Sequence, residues 1–472
     1  MLMSTKDSTR LDINYYYRHG DISALMTNAG NAIANSVKGF YGNGKKILVA
    51  CGIGNNGADG IIAGNILSKD NDVALLLFKK IEQIKPGNLL NLLTNWRGEI
   101  LYPESIEARL QSFDLIIDAI FGTGFHGEIG EPYRAVIQKL NNSGKPILSV
   151  DTPSGLGSQM SIRPDRTVTF TCVKENMDED NSGKITIENI GIDETSVNET
   201  GPGDIVFYPF PDEKSHKGMN GRLSIMSGWK FHGSAIMAAM GAQSTSPDLV
   251  KIFINHRNYD IIGSQIHSTM LVDCEESEYF IEDLLKADCI IIGPGMGESE
   301  YERSTMEKII EAANVPLILD ASAIMILKNN EKNSMGKEII ITPHKGEFTR
   351  LTGLDPTKEN AEITAKKLGI TIFLKGQSDI ITDGLTTITG HGGTPRLTMG
   401  GTGDLLTGIL GGLISKKMPL MRAASFASFI NKRAGERCMN RHNIWFGIDE
   451  LVSEIPEVFK EIMEIQRKLK ET

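Results

Sequence analysis

The chain has 472 residues, more than one ordinary hydrophobic core serves, which points to two domains. Its 40% hydrophobic and 23% charged residues suit a globular protein, and a formal net charge of −10 argues against broad contact with nucleic-acid phosphates. No apolar run approaches the roughly 20 residues that span a bilayer and Met1 to Arg10 is polar, so a cytoplasmic protein without a membrane partner is expected.

Residues 11–40 read as one helix, with Leu25, Met26, Ala29, Ile33 and Val37 at helical spacing, and a strand follows over Lys46–Cys51. Further apolar runs at 73–78, 115–120, 146–150, 168–172 and 205–207 read as strands buried on both faces. Helical spacers between the first of them imply crossovers, hence a doubly wound, mostly parallel sheet. Gly201-Pro202-Gly203, Pro209 and Pro211 then break the periodicity, and the boundary is placed near Phe210, giving domains 1–210 and 211–472. The alternation restarts with strands at 223–226, 250–254, 289–292, 317–319, 339–341 and 371–374, a second α/β layer structure. Five scattered cysteines read as reduced structural thiols, and no histidine spacing suggests a transition-metal site.

After the first strand comes Gly52-Ile53-Gly54-Asn55-Asn56-Gly57-Ala58-Asp59-Gly60, a turn that lets backbone N–H groups approach a phosphate but serves equally for tight packing. Lys79 and Lys80 stand where an acidic ribose reader would end the second strand, so an ordinary dehydrogenase fits poorly. Asp118 and Asp151 end two later strands, ahead of Gly122-Thr123-Gly124-Phe125-His126-Gly127-Glu128 and of Thr152-Pro153-Ser154-Gly155. Parallel strand ends gather on one edge, where oxygen donors from Asn56, Asp118 and Ser154 suit a hard cation of low charge and Asp151 is a candidate acid or base.

These segments, with Leu25-Met26-Thr27-Asn28-Ala29-Gly30, resemble the NAD(P)H-hydrate epimerase domain over residues 11–210. The resemblance implies Asn55, Asn56, Gly57, Ala58, Asp59, Gly122, Thr123, Gly124, Phe125, His126, Gly127, Glu128 and Asp151 for substrate, and a potassium ion on Asn56, Asp118 and Ser154. Ile53 and Ala58 depart from the family's usual proline and glycine.

In the second half, Gly400-Gly401-Thr402-Gly403-Asp404 opens an apolar helix, where glycine N–H groups hold a phosphoryl group and Asp404 accepts a hydroxyl proton; an aspartate here also serves simply as a helix cap. Gly293-Pro294-Gly295-Met296-Gly297, Pro343-His344-Lys345-Gly346-Glu347 and Lys375-Gly376-Gln377-Ser378 each follow a strand. With His216-Lys217-Gly218 and Asp320-Ala321-Ser322-Ala323 they resemble the ADP/ATP-dependent NAD(P)H-hydrate dehydratase, of ribokinase-like fold, over residues 214–467. That implies Ser234, Gly297, His344 and Asp404 toward the hydrated nicotinamide, and Lys375, Gln377, Ser378, Asp379 and Gly403 toward ADP or ATP with Mg²⁺. Trp229, Lys230, Phe231 and His232 replace the family's usual serine- and tyrosine-containing stretch.

Together the halves imply a bifunctional, homo-oligomeric enzyme that epimerises R and S NADHX or NADPHX and dehydrates the S form. The alternative is a ribokinase-like small-molecule kinase carrying a noncatalytic binding module.

Overall fold

The helix expected over residues 11–40 is two helices in the computed structural model, which describes residues 2–125, 127–277, 279–328, 334 and 336–471. Helix α1 (Thr5–His19) starts on a reciprocal Ser4–Asp7 capping box and stops at Gly20, whose φ of 75° reverses the chain before α2 (Ser23–Tyr41). The chain then divides into two units, Met1–Val197 with Ile465–Thr472, and Asn198–Glu464, so the break falls ahead of Phe210.

The first unit holds β1 (Lys46–Cys51), α3 (Asn55–Leu67), β2 (Asp72–Leu77), β3 (Glu99–Leu101), β4 (Leu115–Ala119), β5 (Ile147–Val150), β6 (Arg166–Phe170) and β7 (Lys184–Glu188). They form one sheet ordered β3-β2-β1-β4-β5-β6-β7 with every pairing parallel. Along β1, Ile47, Val49 and Cys51 enter one core with α2 and α3, while Leu48 and Ala50 enter another with Val136 and Ile137. Burial on both faces explains the unbroken apolar runs. The order reverses between β1 and β4, and at such a switch point the strand ends leave a crevice. Edge strands β3 and β7 are half exposed and carry no such run, which hid them from the pattern.

The run at 205–207 is not a strand. It ends a 3₁₀ segment, Pro202–Phe207, because Pro202 lacks a ladder N–H and Asp204 turns inward to accept the Ser425 hydroxyl.

The second unit holds β8 (Arg222–Met226), α4 (His232–Gln243), β9 (Leu249–Ile254), β10 (Met270–Asp273), β11 (Cys289–Ile292), β12 (Leu317–Leu319), β13 (Ile339–Ile341), α5 (Lys345–Thr352), β14 (Thr371–Leu374), β15 (Asp379–Thr382), β16 (Thr387–Gly390), α6 (Thr402–Ser415) and α7 (Leu420–His442). Its sheet runs β10-β9-β8-β11-β12-β13-β14-β15-β16, parallel as far as β14 and antiparallel over the last two pairings. Small residues let α4 and α6 meet backbone to backbone: a Cβ on Gly408 would lie 2.0 Å from the Ala238 carbonyl oxygen, and one on Gly241 2.2 Å from that of Leu405. The same pair of helices brings Ser234, in the first turn of α4, to Asp404, in the first turn of α6. The five cysteines are free, and no helix among the described residues is long and apolar enough to cross a membrane.

Candidate active sites

In the first unit the glycine-rich turn divides its labour. A Cβ would lie 1.8 Å from the Ile120 carbonyl oxygen at Gly52 and 2.1 Å from the Gly52 carbonyl oxygen at Gly57, so both are glycine for packing. Gly54 faces open space at the start of α3, where backbone N–H groups lack helical partners. Asn55 is exposed there, whereas Ala58 packs its methyl in the core and donates its N–H to the Gly54 carbonyl.

Asn56, Asp118 and Ser154 converge on Phe121. Asn56 Nδ2 donates to the Phe121 carbonyl at 3.0 Å, the Phe121 N–H donates to Ser154 Oγ at 2.8 Å, and Ser154 Oγ donates to Asp118 Oδ1. Asp118 Oδ2 accepts from Ser149 Oγ at 2.8 Å and from the Ser154 N–H at 2.9 Å. Burial pushes this carboxyl above its ordinary range, and hydrogen bonds from Ser154, Ser149 and Ile120 hold it down. Among the described residues its hydrogen-bond partners are all uncharged. Beside it Gly122 packs on Asn56, Thr123 is half-buried, Phe125 stacks on Phe121 with centroids 4.3 Å apart, and Gly124, Gly127 and Glu128 are exposed. His126 lies outside the described residues.

Asp151 follows β5 in the left-handed region, at φ 61°, which turns its carboxylate back on β6. Oδ1 accepts from Thr169 Oγ1 at 3.2 Å and the Phe170 N–H at 3.3 Å, and pairs with Lys174 Nζ at 2.7 Å. Two acids join this pair electrostatically. Burial, then the Asp151 charge, pushes the Asp12 carboxyl up to about 7 against the pull of Lys174. Burial, then Asp151 and Asp12, raises Asp59 well above the ordinary range. Sequence reading assigned Asp59 and missed Asp12 and Lys174. A carboxylate between buried Leu11 and Ile13, and a lysine closing a buried stretch, were the signals available.

In the second unit Asp404 lies in the first turn of α6, which begins at Gly401 with φ 91°; a Cβ there would lie 2.0 Å from Met237 Sδ. Burial and then Asp320 push the Asp404 carboxyl up to about 6; a hydrogen bond with Ser234 and the charge of Lys375 pull it down, and Glu347 adds to the rise. Lys375 Nζ donates to Asp320 Oδ1 at 3.0 Å, and Thr407 Oγ1 donates to Asp320 Oδ2 at 2.7 Å. Gly403 adjoins the same ammonium: a Cβ there would lie 3.4 Å from Nζ. Thus Ser234, Lys375, Gly403 and Asp404 form one cluster, braced by Asp320 and Thr407. Asp320 figured in the sequence only within a segment, and Thr407 and Glu347 carried no role.

The remaining predicted residues divide differently. His344, with its ring largely exposed, caps α5: Nδ1 accepts the N–H of Gly346 at 3.0 Å and of Glu347 at 3.3 Å, while Glu347 accepts the His344 N–H. The Gly297 N–H donates to Glu302 at 3.0 Å. Gln377 and Ser378 are exposed, with Ser378 Oγ and His391 Nδ1 3.2 Å apart. Asp379 turns inward, accepting from the Gly376 N–H at 2.9 Å and Ser428 Oγ at 2.7 Å, and Lys432 donates to the Gln377 carbonyl at 2.8 Å. Asp379 and Lys432 therefore brace this loop. In the atypical loop Trp229 is buried, donating to the Phe253 carbonyl at 3.1 Å, whereas Phe231 is exposed.

Fold and sites define a two-domain α/β enzyme class, a Rossmann-like unit followed in the chain by a ribokinase-like unit with an aspartate at a glycine-rich helix start. Residues 22–176 match the family described as YjeF-related protein N-terminus, and residues 223–457 match NAD(P)H-hydrate dehydratase. The bifunctional NAD(P)H-hydrate repair enzyme Nnr of Archaeoglobus fulgidus is 30% identical, covering 96% of this chain and 98% of its own. Its namesake from Methanothermobacter thermautotrophicus is 30% identical over 97% of this chain and 95% of its own. A ribokinase-like superfamily protein from Enterococcus faecalis superposes with a TM-score of 0.50 at 24% identity, over 54% of this chain and 92% of its own, and shares the fold of the second unit. The chain belongs to the bifunctional NAD(P)H-hydrate repair enzyme family.

Proposed function

We propose that the first unit interconverts the R and S epimers of NADHX or NADPHX and that the second dehydrates the S form at the expense of ADP or ATP. The observation that carries this reading is Asp404, a carboxylate at an anion-binding helix start with Ser234 and Lys375 beside it. Hydroxide leaves a saturated ring poorly. A phosphorylated hydroxyl leaves readily, so Asp404 takes the hydroxyl proton while the free N–H groups of the first turn of α6 and the Lys375 ammonium hold the transferred group. Mg²⁺, when bound with the nucleotide, neutralises phosphate charge.

In the first unit the substrate lies along Asn55 to Asp59, Gly122 to Glu128 and Asp151. A potassium ion fits Asn56, Asp118 and Ser154, because the buried Asp118 carboxylate has only uncharged hydrogen-bond partners among the described residues and the set is all oxygen. Incubating the full chain with mixed R and S hydrates and either nucleotide tests both activities through the absorbance of the restored dihydronicotinamide. Full conversion supports both, half conversion removes the epimerase, and a stable phosphorylated hydrate with no dihydronicotinamide overturns the dehydratase.

A further inference from the structure

Lys174 is an unusual residue to bury. Its ammonium donates to the Phe170 carbonyl at 2.7 Å, the Cys172 carbonyl at 3.3 Å and Thr169 Oγ1 at 3.2 Å, and pairs with Asp151 at 2.7 Å. Its backbone is pinned by the short parallel pairing of Leu2–Met3 with Val173–Lys174. Asp59, in the first turns of α3, feels the Asp151 charge, and its buried Oδ1 has no hydrogen-bond partner among the described residues. One carboxylate is thus fixed against a cation and its neighbour is uncommitted.

We infer that Lys174 is a positioning residue for epimerisation, holding the Asp151 carboxylate as proton acceptor and leaving Asp59, with its unpartnered Oδ1, as proton donor. This rests on the epimerase reading of the first unit and adds to it the division of roles. Hydration of an enamine leaves the hydroxyl on the carbon beside nitrogen, so the substrate is a hemiaminal. Asp59 gives its proton to that hydroxyl; the C–O bond breaks with its electron pair on oxygen, water departs, and the nitrogen lone pair forms a planar C=N⁺. A water then adds to the opposite face, the C=N pair returns to nitrogen, and Asp151 takes the water's proton. Proton exchange with solvent resets both carboxyl groups. The raised Asp59 and Asp12 carboxyls, burial first among the causes, agree with a donor that holds its proton more firmly than an ordinary aspartate.

The test follows R–S exchange in the full chain by NMR, in isotopically labelled water, for wild type, Lys174→Met, Lys174→Arg and Asp59→Asn. We expect Lys174→Met to lower kcat by about 10²-fold with KM little changed, Lys174→Arg to recover part of it, and Asp59→Asn to lose about 10²-fold. The groups facing this centre are Asp12 from α1, Asp59 from α3, Asp151 after β5 and Lys174 after β6. Each exchange event places one labelled oxygen in the hydroxyl on the ring carbon. Wild-type kcat in Lys174→Met, or exchange without label, overturns the inference; if Lys174→Met does not fold, unchanged kcat in Asp59→Asn overturns it. A wild-type chain that does not exchange epimers overturns the epimerase reading itself.

Discussion

The two units gather carboxylates at sheet edges but treat their charge in opposite ways. In the first, Asp118 is buried among uncharged donors and Asp59 and Asp12 crowd Asp151, with Lys174 the cation that opposes them. In the second, Asp404 and Asp320 share one cation, the Lys375 ammonium, at the positive end of a helix. On the proposed reading, loss and return of water at the ring carbon uses a proton donor and an acceptor together, and crowded acids supply both. On the same reading, phosphoryl transfer uses one base beside an anion site, and Asp404, with the Lys375 charge close by, is that base.

The sharpest way to break this comparison is Asp404→Ala, expected to lower dehydration of the S hydrate by about 10²–10⁴-fold while R–S exchange continues; equal loss of both rates would contradict two separate centres. Next comes Ser149→Ala, which removes a donor to Asp118 and is expected to weaken potassium binding at the proposed site by about 10–100-fold in a potassium titration. Gly408→Ala forces a methyl onto the Ala238 carbonyl, and denaturant unfolding should register a loss of about 1–3 kcal/mol in the second unit.

A pH profile sharpens the contrast further. Because Asp404 is raised to about 6, the dehydration rate should climb as pH rises through that value, where the acid becomes the base. Asp320→Asn removes a charge that raises Asp404, so this limb should move to lower pH; a shift to higher pH would remove Asp320 from the cluster. The smallest effect separates two roles of His344. Asparagine also caps helices well, so His344→Asn should hold stability within about 1 kcal/mol of wild type, and a raised KM for the S hydrate would then report a substrate contact.

Much of the fold was legible because doubly buried strands spell continuous apolar runs, as in Lys46–Cys51 and Cys289–Ile292. Edge strands such as Lys184–Glu188 mix polar and apolar residues and left no comparable run. Gly20, at φ 75°, split the stretch read as helix over 11–40, and Pro202 with an inward Asp204 converted an expected strand into a 3₁₀ segment. The motif aspartates were legible as single residues at strand or helix ends.

What the sequence determined by itself was the pair of α/β units and the placing of Asp118, Asp151 and Asp404 at strand or helix ends, since local pattern and motif spacing encode both. Only the tertiary structure decided which neighbours those aspartates have. Lys174 and Asp12 reach Asp151, and Asp320 reaches Lys375 and acts on Asp404, from distant elements that touch only once the sheets are assembled. Charge environment is a property of that assembly, because burial and through-space proximity have no counterpart in linear order.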